Sequence, residues 1–299
     1  MLQSRRSLLK TAALAAAAIP LSGAVAGAAE AGKELLGPLG TRVPGKDPWK
    51  GLKVGVASYS FRKLSLDRTI AGIKRVDLHY VSIKDFHLPM RSTTAQRKQV
   101  AGEFRDAGIM PISCGVITIK DEPSARQAFE YARDIAVPTI VCHPEPATLP
   151  LIERLVKEFN IKIAIHNHGP EAPHFKSPYD AWEAVQKYDP RLGLCIDVGH
   201  TARAGVNPVE AIRKCAARLY DCHFKDIVAL GARNAGVAEV EVGRGILDIR
   251  GMLQALLDIK YPGHVGFEHE KTAENPLPGL AESVGYTKGV LSCISVASA

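Results

Sequence analysis

The 299-residue sequence is poor in aromatic side chains, which make up 6% of it, and it lacks several motifs that depend on glycine or cysteine spacing. Few aromatics beside abundant alanine and glycine fit a closely packed α/β protein better than a β-sandwich. No Gly-x-Gly-x-x-Gly fingerprint follows the first predicted strand, which removes the usual reason to expect a dinucleotide-binding fold. None of the six cysteines forms a Cys-x-x-Cys pair, so we predict buried free thiols rather than a disulfide framework or zinc knuckle.

The excess of basic residues is small once the N-terminal segment is set aside. The formal net charge is +7, but residues 1–28 hold three bases and no acid. The remaining 35 bases face 31 acids, a net charge of +4, which is a weak electrostatic footprint for a nucleic-acid partner. With 46% hydrophobic residues the chain can bury a sizeable core, which excludes a disordered protein. We therefore expect a globular enzyme or binding domain and no nucleic-acid partner.

The first 28 residues have the pattern of a twin-arginine export signal. Arg5 and Arg6 precede a short alanine-rich run, and small residues offer cleavage sites after Ala26 or Ala28. A membrane-spanning helix needs about 20 strongly apolar residues, whereas this run is weakly apolar and interrupted by proline and glycine. We predict export by the twin-arginine route, to the periplasm or otherwise out of the cytoplasm, and no stable membrane anchor after cleavage.

From Lys53 onward, eight short runs rich in β-branched residues alternate with stretches of helical periodicity. The predicted strands are Val54–Ser58, Tyr80–Lys84, Met110–Cys114, Thr139–Cys142, Lys162–His166, Gly193–Asp197, Tyr220–Phe224 and Val265–Glu268. The predicted helices include Thr94–Ala107, Ala125–Ile135, Pro150–Phe159, Pro178–Tyr188, Pro208–Ala217 and Ile249–Ile259, with starts at Ser177-Pro178 and Asn207-Pro208. Eight such units in about 250 residues predict a single α/β domain over residues 51–299, a closed (β/α)8 TIM barrel preceded by a linker at 29–50.

Polar side chains gather where the predicted strands end. Strands four to eight end in His143-Pro144-Glu145, His166-Asn167-His168, Asp197-Val198-Gly199-His200, His223-Phe224-Lys225-Asp226 and Glu268-His269-Glu270. Active sites of this fold lie at the mouth formed by the C-terminal strand ends, and unpaired polar groups are costly to bury there. A divalent cation held by two histidines and two carboxylates would offset that cost, and this mixed ligand set suits Mn, Zn, Co or Fe.

Several of these polar residues also have a purely structural interpretation. His143 and Glu145 would then belong to a rigid, proline-flanked loop, and His87 and His269 would be hydrogen-bonded packing residues. Arg244 lies between two glycines, which is typical of a tight turn, with anion binding as the alternative. The candidate substrate-binding residues are His143, Glu145, His168, His87 and Arg244.

The strand-end residues resemble the sugar phosphate isomerase/epimerase family, also called the xylose isomerase-like TIM barrels. The matching segments are Ile165-His166-Asn167-His168-Gly169, Cys195-Ile196-Asp197-Val198-Gly199-His200, His223-Phe224-Lys225-Asp226, Gly243-Arg244-Gly245 and Phe267-Glu268. The resemblance implies a metal site of His166, Asp197, His223 and Glu268. His166 is a departure from the family pattern, because the epimerases of the family have a glutamate at this position. His168 and Glu145 are therefore alternative candidates for this ligand position.

The resemblance also implies the chemistry: a metal-dependent isomerase or epimerase that passes a keto-sugar through an enediolate. Glu268 would be a ligand or base, and Glu270, His200 or Lys225 would supply a second proton transfer, unless Lys225 simply pairs with Asp226. Because phosphorylated sugars are chiefly cytoplasmic, export favours a non-phosphorylated small-molecule sugar as the substrate.

Three alternatives to an isomerase remain. A histidine at position 166 also resembles the inosose dehydratase branch, so a keto-sugar or keto-glycoside lyase would use the same metal site. A sugar-binding barrel without turnover is the alternative from another class of protein. An apurinic endonuclease is disfavoured, because its extra Asp-x-His pair after the seventh strand is missing and the net charge is modest.

Overall fold

The computed structural model describes residues 47–230 and 239–295. The predicted signal peptide and most of the predicted linker, residues 1–46, lie outside this range, so export and cleavage stay predictions. The compact unit that holds the barrel begins at Asp47. Trp49 packs in its hydrophobic core, and Lys50 Nζ donates to the carbonyl of Ile294.

Eight parallel strands close into a barrel. In chain order they are β1 Lys53–Ala57, β2 Tyr80–Ile83, β3 Met110–Ile119, β4 Thr139–Pro144, β5 Lys162–His166, β6 Leu192–Asp197, β7 Leu219–Phe224 and β10 His264–Phe267. Two short strands between β7 and β10, β8 Asp226–Ile227 and β9 Glu239–Val240, form a separate antiparallel pair. Barrel strands adjacent in the chain are adjacent in space, and β1 pairs with β10 to close the ring. The prediction of a (β/α)8 TIM barrel is confirmed.

Each barrel strand is followed by at least one helix. The helices are α1 Leu66–Arg75, α2 Thr94–Asp106, α3 Glu122–Ile135, α4 Leu149–Phe159, α5 Pro178–Val185, α6 Val198–Arg203, α7 Pro208–Lys214, α8 Ile249–Asp258 and α9 Leu277–Ser292. The structure thus adds α1, α6 and α9 to the six predicted helices. In the described part of the chain, no helix has both the length and the apolar character that crossing a bilayer requires.

Short polar residues start these helices where the sequence predicts. The Ser177 hydroxyl accepts a hydrogen bond from the backbone N–H of Asp180, and the Asp180 carboxylate accepts one from the backbone N–H of Ser177. This capping box provides acceptors for two backbone N–H groups at the start of α5. Asn207 accepts from the backbone N–H groups of Val209 and Glu210 at the start of α7. Both predicted helix starts are confirmed.

The core lies between the strands and the helices that surround them. Every residue of β6 is buried, as expected for a strand that is covered on both faces. All six cysteines are free thiols, and five of them are buried, as the sequence predicts. Cys293 is the exposed one, because it follows the last turn of α9.

Asp226 anchors the loop that follows β9. Its Oδ1 accepts hydrogen bonds from the N–H groups of Ile227 and Leu247, and its Oδ2 accepts from those of Gly243 and Gly245. A Cβ atom at Gly245 would lie 2.1 Å from Asp226 Oδ1, so the turn comes too close for any side chain. The structure therefore makes residues 243–245 a tight turn held by a buried carboxylate.

We predict that Asp226→Ala destabilises the protein by at least about 3 kcal/mol, because it leaves four backbone donors without their charged acceptor. Asp248→Ala is the matched control, since Asp248 accepts a single backbone hydrogen bond at the start of α8. Loss of such a helix cap costs about 1 kcal/mol. Urea unfolding of both variants measures the difference, and equal losses would contradict the anchoring role of Asp226.

Candidate active site

Four side chains from consecutive strands of the barrel meet at its mouth. His166 and Asp197 are the last residues of β5 and β6, His223 lies one residue before the end of β7, and Glu268 directly follows β10. The register sets Asp197 beside His223. One ligand atom of each residue lies within 4.8 Å of those of the other three. We refer to these four residues as the quartet.

The donor set of the quartet fits a metal cation. Its closest approaches are 3.5 Å between His166 Nε2 and Asp197 Oδ2 and 3.1 Å between His223 Nδ1 and Glu268 Oε2. His166 Nδ1 and His223 Nε2 are buried and have neither a hydrogen-bond nor an ion-pair partner among the described residues. Since each unsatisfied buried group costs about 1–3 kcal/mol, an ion that binds one nitrogen of each ring would offset part of this cost.

Lys225 lies against the carboxylates of the quartet. Its Nζ is 3.1 Å from Asp197 Oδ2 and 2.9 Å from Glu268 Oε2, and it donates to Glu270 as well. Burial opposes the charged form of Lys225, but the carboxylates of Asp197 and Glu268 outweigh burial and raise its pKa well above the usual range. Lys225 is thus a permanent cation of the site, and Asp226, which holds the loop described above, is not its partner.

The charges around Lys225 do not balance without a further cation. Burial favours the neutral acid at Asp197 and at Glu268, yet Lys225 and neighbouring histidines lower the pKa of both carboxyls well below their usual values. Together with Glu270 these groups carry three negative charges against one on Lys225. A proton on His223, whose pKa is raised by Glu268 against the effect of burial, offsets one more. In place of that proton, a divalent cation bound to neutral imidazoles would offset both negative charges that Lys225 leaves.

His200 is held by an arginine and presents one remaining ring nitrogen. Arg203 Nη1 lies 3.0 Å from His200 Nδ1. Because arginine is always protonated and can only donate, Nδ1 is the acceptor and the ring proton is on Nε2. Burial lowers the pKa of His200 to about 4, so the ring is neutral at pH 7. Arg203 is fixed in turn by an ion pair with Glu171. His200 is therefore a neutral hydrogen-bond donor.

A cavity of about 570 Å³ borders these groups, and we call it the site cavity. Its lining combines two quartet members with acidic, basic and imidazole side chains: Tyr59, Lys84, Val116, His166, His168, Glu171, His200, Arg203, Glu268 and Glu270. The ring centroids of His168 and His166 are 5.0 Å apart, and those of His168 and His200 are 4.9 Å apart. The cavity therefore has an imidazole-rich side, supplied by β5 and β6, and a carboxylate-rich side, supplied by β10.

The structure does not bring His87, Glu145 or Arg244 to the site cavity. His87 is buried and makes contacts of 2.9 Å with Thr69 Oγ1 and 3.1 Å with Ser58 Oγ, so it packs between β1, β2 and α1. Glu145 is exposed, and its carboxylate lies 3.2 Å from the ring of a neighbouring histidine, His174. Arg244 points outward, because the turn held by Asp226 directs its side chain to a surface carboxylate, that of Glu282. His143 packs against His168 in an adjacent cavity.

Sequence reasoning did not assign Tyr59, Lys84, Glu171 or Arg203 to the site, yet all four line the site cavity. Lys84 directly follows β2, and its Nζ donates to the carbonyl of Val116 at 3.0 Å. Its place at a strand end was the only signal that pointed to it. The other three lie in helices or loops beyond the strand ends, where strand periodicity gives no direction.

Comparison with known proteins supports the fold. A family model described as xylose isomerase-like TIM barrel matches residues 124–289. No curated protein matches the chain significantly. Among solved structures, the IOLI protein with a bound zinc atom has a TM-score of 0.69 and 17% identity, and the match covers 81% of this chain and 99% of that protein.

Two further solved structures carry different activities in their names. The 3-keto-D-glucoside 4-epimerase YcjR from E. coli has a TM-score of 0.64 and 14% identity, and the match covers 80% of this chain and 99% of that one. The probable 3-DHS dehydratase AsbF from Bacillus anthracis has a TM-score of 0.64 and 13% identity over 81% and 99% of the two chains. At such low identity these likenesses establish a shared fold and leave the reaction open.

We predict that the metal-free protein loses stability as the pH falls from 6.5 towards 4. Burial lowers the pKa of His166 to about 3 and that of His200 to about 4. Both rings are therefore neutral in the folded protein while the unfolded chain takes up protons below about pH 6.5. Each ring should lower the free energy of unfolding by about 1.4 kcal/mol per pH unit in that window.

Urea unfolding in the presence of EDTA, repeated between pH 6.5 and 4.5, measures this slope. His200→Gln should reduce the slope by about one proton's worth, about 1.4 kcal/mol per pH unit. His79→Gln is the matched control, since the His79 side chain is half exposed, and it should leave the slope as it is. An unchanged slope in His200→Gln would contradict a neutral, buried His200.

Proposed function

Since this chain belongs to the xylose isomerase-like TIM barrel family, we propose that it is a divalent-metal-dependent enzyme that acts on a sugar. The reaction proposed is isomerisation or epimerisation of a keto-sugar through an enediolate. The observation that carries the proposal is the quartet, whose ligand atoms lie within 4.8 Å of one another beside a cavity of about 570 Å³.

The residues that would hold the metal are His166, Asp197, His223 and Glu268. Two imidazoles and two carboxylates suit Mn, Zn, Co or Fe, and zinc is the ion bound in the similar IOLI protein. When bound, such an ion supplies a Lewis acid that polarises a carbonyl and stabilises the negative charge of the enediolate. The positive charge of Lys225 in the same cluster adds to that stabilisation.

The remaining polar groups divide the proton transfers between two sides of the cavity. Glu270 lines the cavity and lies outside the quartet, so its carboxylate is the candidate base that removes the proton next to the carbonyl. Lys225, which donates to Glu270, holds that carboxylate in place. On the side of β6, His200 presents its Nε2–H as a hydrogen-bond donor to a sugar oxygen.

The state of His200 supports elimination as a second candidate function. Because Arg203 occupies Nδ1, the Nε2–H of the ring is free to donate a hydrogen bond, and such a bond would stabilise the charge that develops on a leaving oxygen. His166 also replaces the glutamate that would serve as a second carboxylate base at this position. Loss of water or of an alcohol from the same enediolate would then make the enzyme a keto-sugar lyase.

The substrate proposed is a small, non-phosphorylated keto-sugar. The twin-arginine pattern of residues 1–28 supports it, because it predicts a periplasmic enzyme and phosphorylated sugars are chiefly cytoplasmic. The charges of the cavity support it as well, since Arg203 is already paired with Glu171. The same cavity is lined by the carboxylates of Glu171, Glu268 and Glu270, which make a poor environment for a phosphate.

Metal analysis tests the quartet. We expect about one equivalent of divalent metal in the wild-type protein, and metal affinity at least about 100-fold weaker in His166→Ala, because losing a direct ligand costs more than losing an outer partner. His168→Ala is the matched control, since its ring is 5.0 Å from that of His166 but it is not in the quartet. Equal metal content and affinity in wild type and His166→Ala would remove His166 from the site.

Incubation of the metal-loaded enzyme with keto-sugars in deuterated water tests the reaction. Isomerisation or epimerisation returns a sugar labelled at carbon, whereas elimination gives an unsaturated product. Glu270→Gln should lower the rate by about 100-fold or more while metal content is unchanged, because it removes the base and no ligand. The exposed Glu145→Gln is the control and should keep full activity. If the protein binds the sugars but no carbon-bound hydrogen exchanges with the solvent, the result would instead support a non-catalytic binding barrel.

A further inference from the structure

A second cavity of about 450 Å³ adjoins the site cavity, and we call it the side cavity. The two cavities share four lining residues, Lys84, Val116, His168 and Glu171. The site cavity alone is within the range of about 300–1,000 Å³ that holds a complete small molecule. One sugar ring and a cation therefore fit in the site cavity, and the side cavity offers room for a further part of the bound molecule.

The side cavity has a lining that suits a neutral, polar group. It contains no member of the quartet, so no metal-dependent step takes place in it. Thr118 and His143 offer polar atoms, while Ala172 and Pro173 offer apolar surface. Sugars present both hydroxyl groups and carbon-bound hydrogens, and this alternation of polar and apolar lining matches them.

The charges of the side cavity argue against an anionic occupant. Its lysine, Lys84, and its carboxylate, Glu171, are of opposite sign, and Lys84 donates to the carbonyl of Val116. A third, smaller cavity of about 260 Å³ shares only Lys84 and Val116 with the site cavity. The side cavity is therefore the larger of the two and has the wider common border with the site cavity.

We propose that the substrate is a glycoside, with its keto-sugar in the site cavity and a second sugar unit in the side cavity. This rests on the proposed function for the reacting unit and adds the unit that does not react. Contacts to a unit that is unchanged by the reaction contribute mainly to binding, so they appear in KM more than in kcat.

Thr118 provides the means to block the side cavity. It is exposed in the rim part of β3, where it pairs with His143 of β4, and tryptophan is well tolerated in strands. Thr118→Trp should therefore fold and fill the side cavity. Met110→Trp is the matched control, because Met110 is half exposed at the opposite end of the same strand.

The experiment compares two probes, 3-keto-cellobiose and methyl 3-keto-β-glucoside, with the metal-loaded enzyme. We expect the wild type to prefer the disaccharide by about 10-fold or more in kcat/KM, mainly through KM. Thr118→Trp should abolish that preference and leave the methyl glycoside within about 2-fold of wild type. Met110→Trp should change neither value. Because Thr118 also lines the smaller third cavity, Pro173→Trp, which borders only the side cavity among the three, is measured as well and should give the same result.

Failure of this inference is distinguishable from failure of the proposed function. Equal kcat/KM for the two probes in the wild type, or an equal loss for both in Thr118→Trp, would overturn the glycoside subsite. Neither result would contradict the proposed enzymatic function. If the wild type converts neither probe, calorimetry measures their binding. A disaccharide preference that Thr118→Trp removes then supports the subsite although the proposed reaction fails, and equal or undetectable binding overturns it.

Discussion

The carboxylates of Asp197, Glu268 and Glu270 are crowded against a single ammonium group, that of Lys225, where the barrel opens. Such a group of like charges is stable only when further positive charge lies close to it. The surroundings are arranged around that need: two imidazoles approach the carboxylates with unsatisfied nitrogens, and the cavity beside them is lined by further polar groups. The stability of the barrel mouth and the chemistry proposed for it therefore both depend on the balance of charge among these groups.

The barrel supplies the precision that this balance requires. Because the strands are parallel and in fixed register, residues from β5, β6, β7 and β10 reach the mouth at similar heights. The buried carboxylate of Asp226 performs the corresponding task for the loop beyond β9, since its four hydrogen bonds fix a turn that has no regular secondary structure. Strand register and one polar anchor thus position groups from distant parts of the sequence.

The sequence predicted most reliably the residues whose direction follows from strand periodicity. His166, Asp197, His223 and Glu268 lie at or next to strand ends, so the β/α alternation placed them at one mouth, and the family resemblance singled them out as a set of ligands. Arg203 was missed because it lies in α6, whose orientation depends on the turn that begins at Asp197. Loop residues were hardest to predict: Glu171 depends on a loop that contains Gly169 at a φ of +86°, and Arg244 and His87 were assigned to a site that their own hydrogen bonds turn them away from.

The tetrapeptide from His223 to Asp226 gives each of its side chains a separate task. His223 joins the quartet, Phe224 packs against Phe267 in the core, Lys225 meets the carboxylates and Asp226 holds the loop after β9. A shift of one position along β7 would change all four at once, for example by placing the phenyl ring where His223 joins the quartet and the ammonium group of Lys225 where Phe224 packs in the core. Evolution can therefore vary the cavity walls to change substrates, but it has almost no freedom to insert or delete residues within these four.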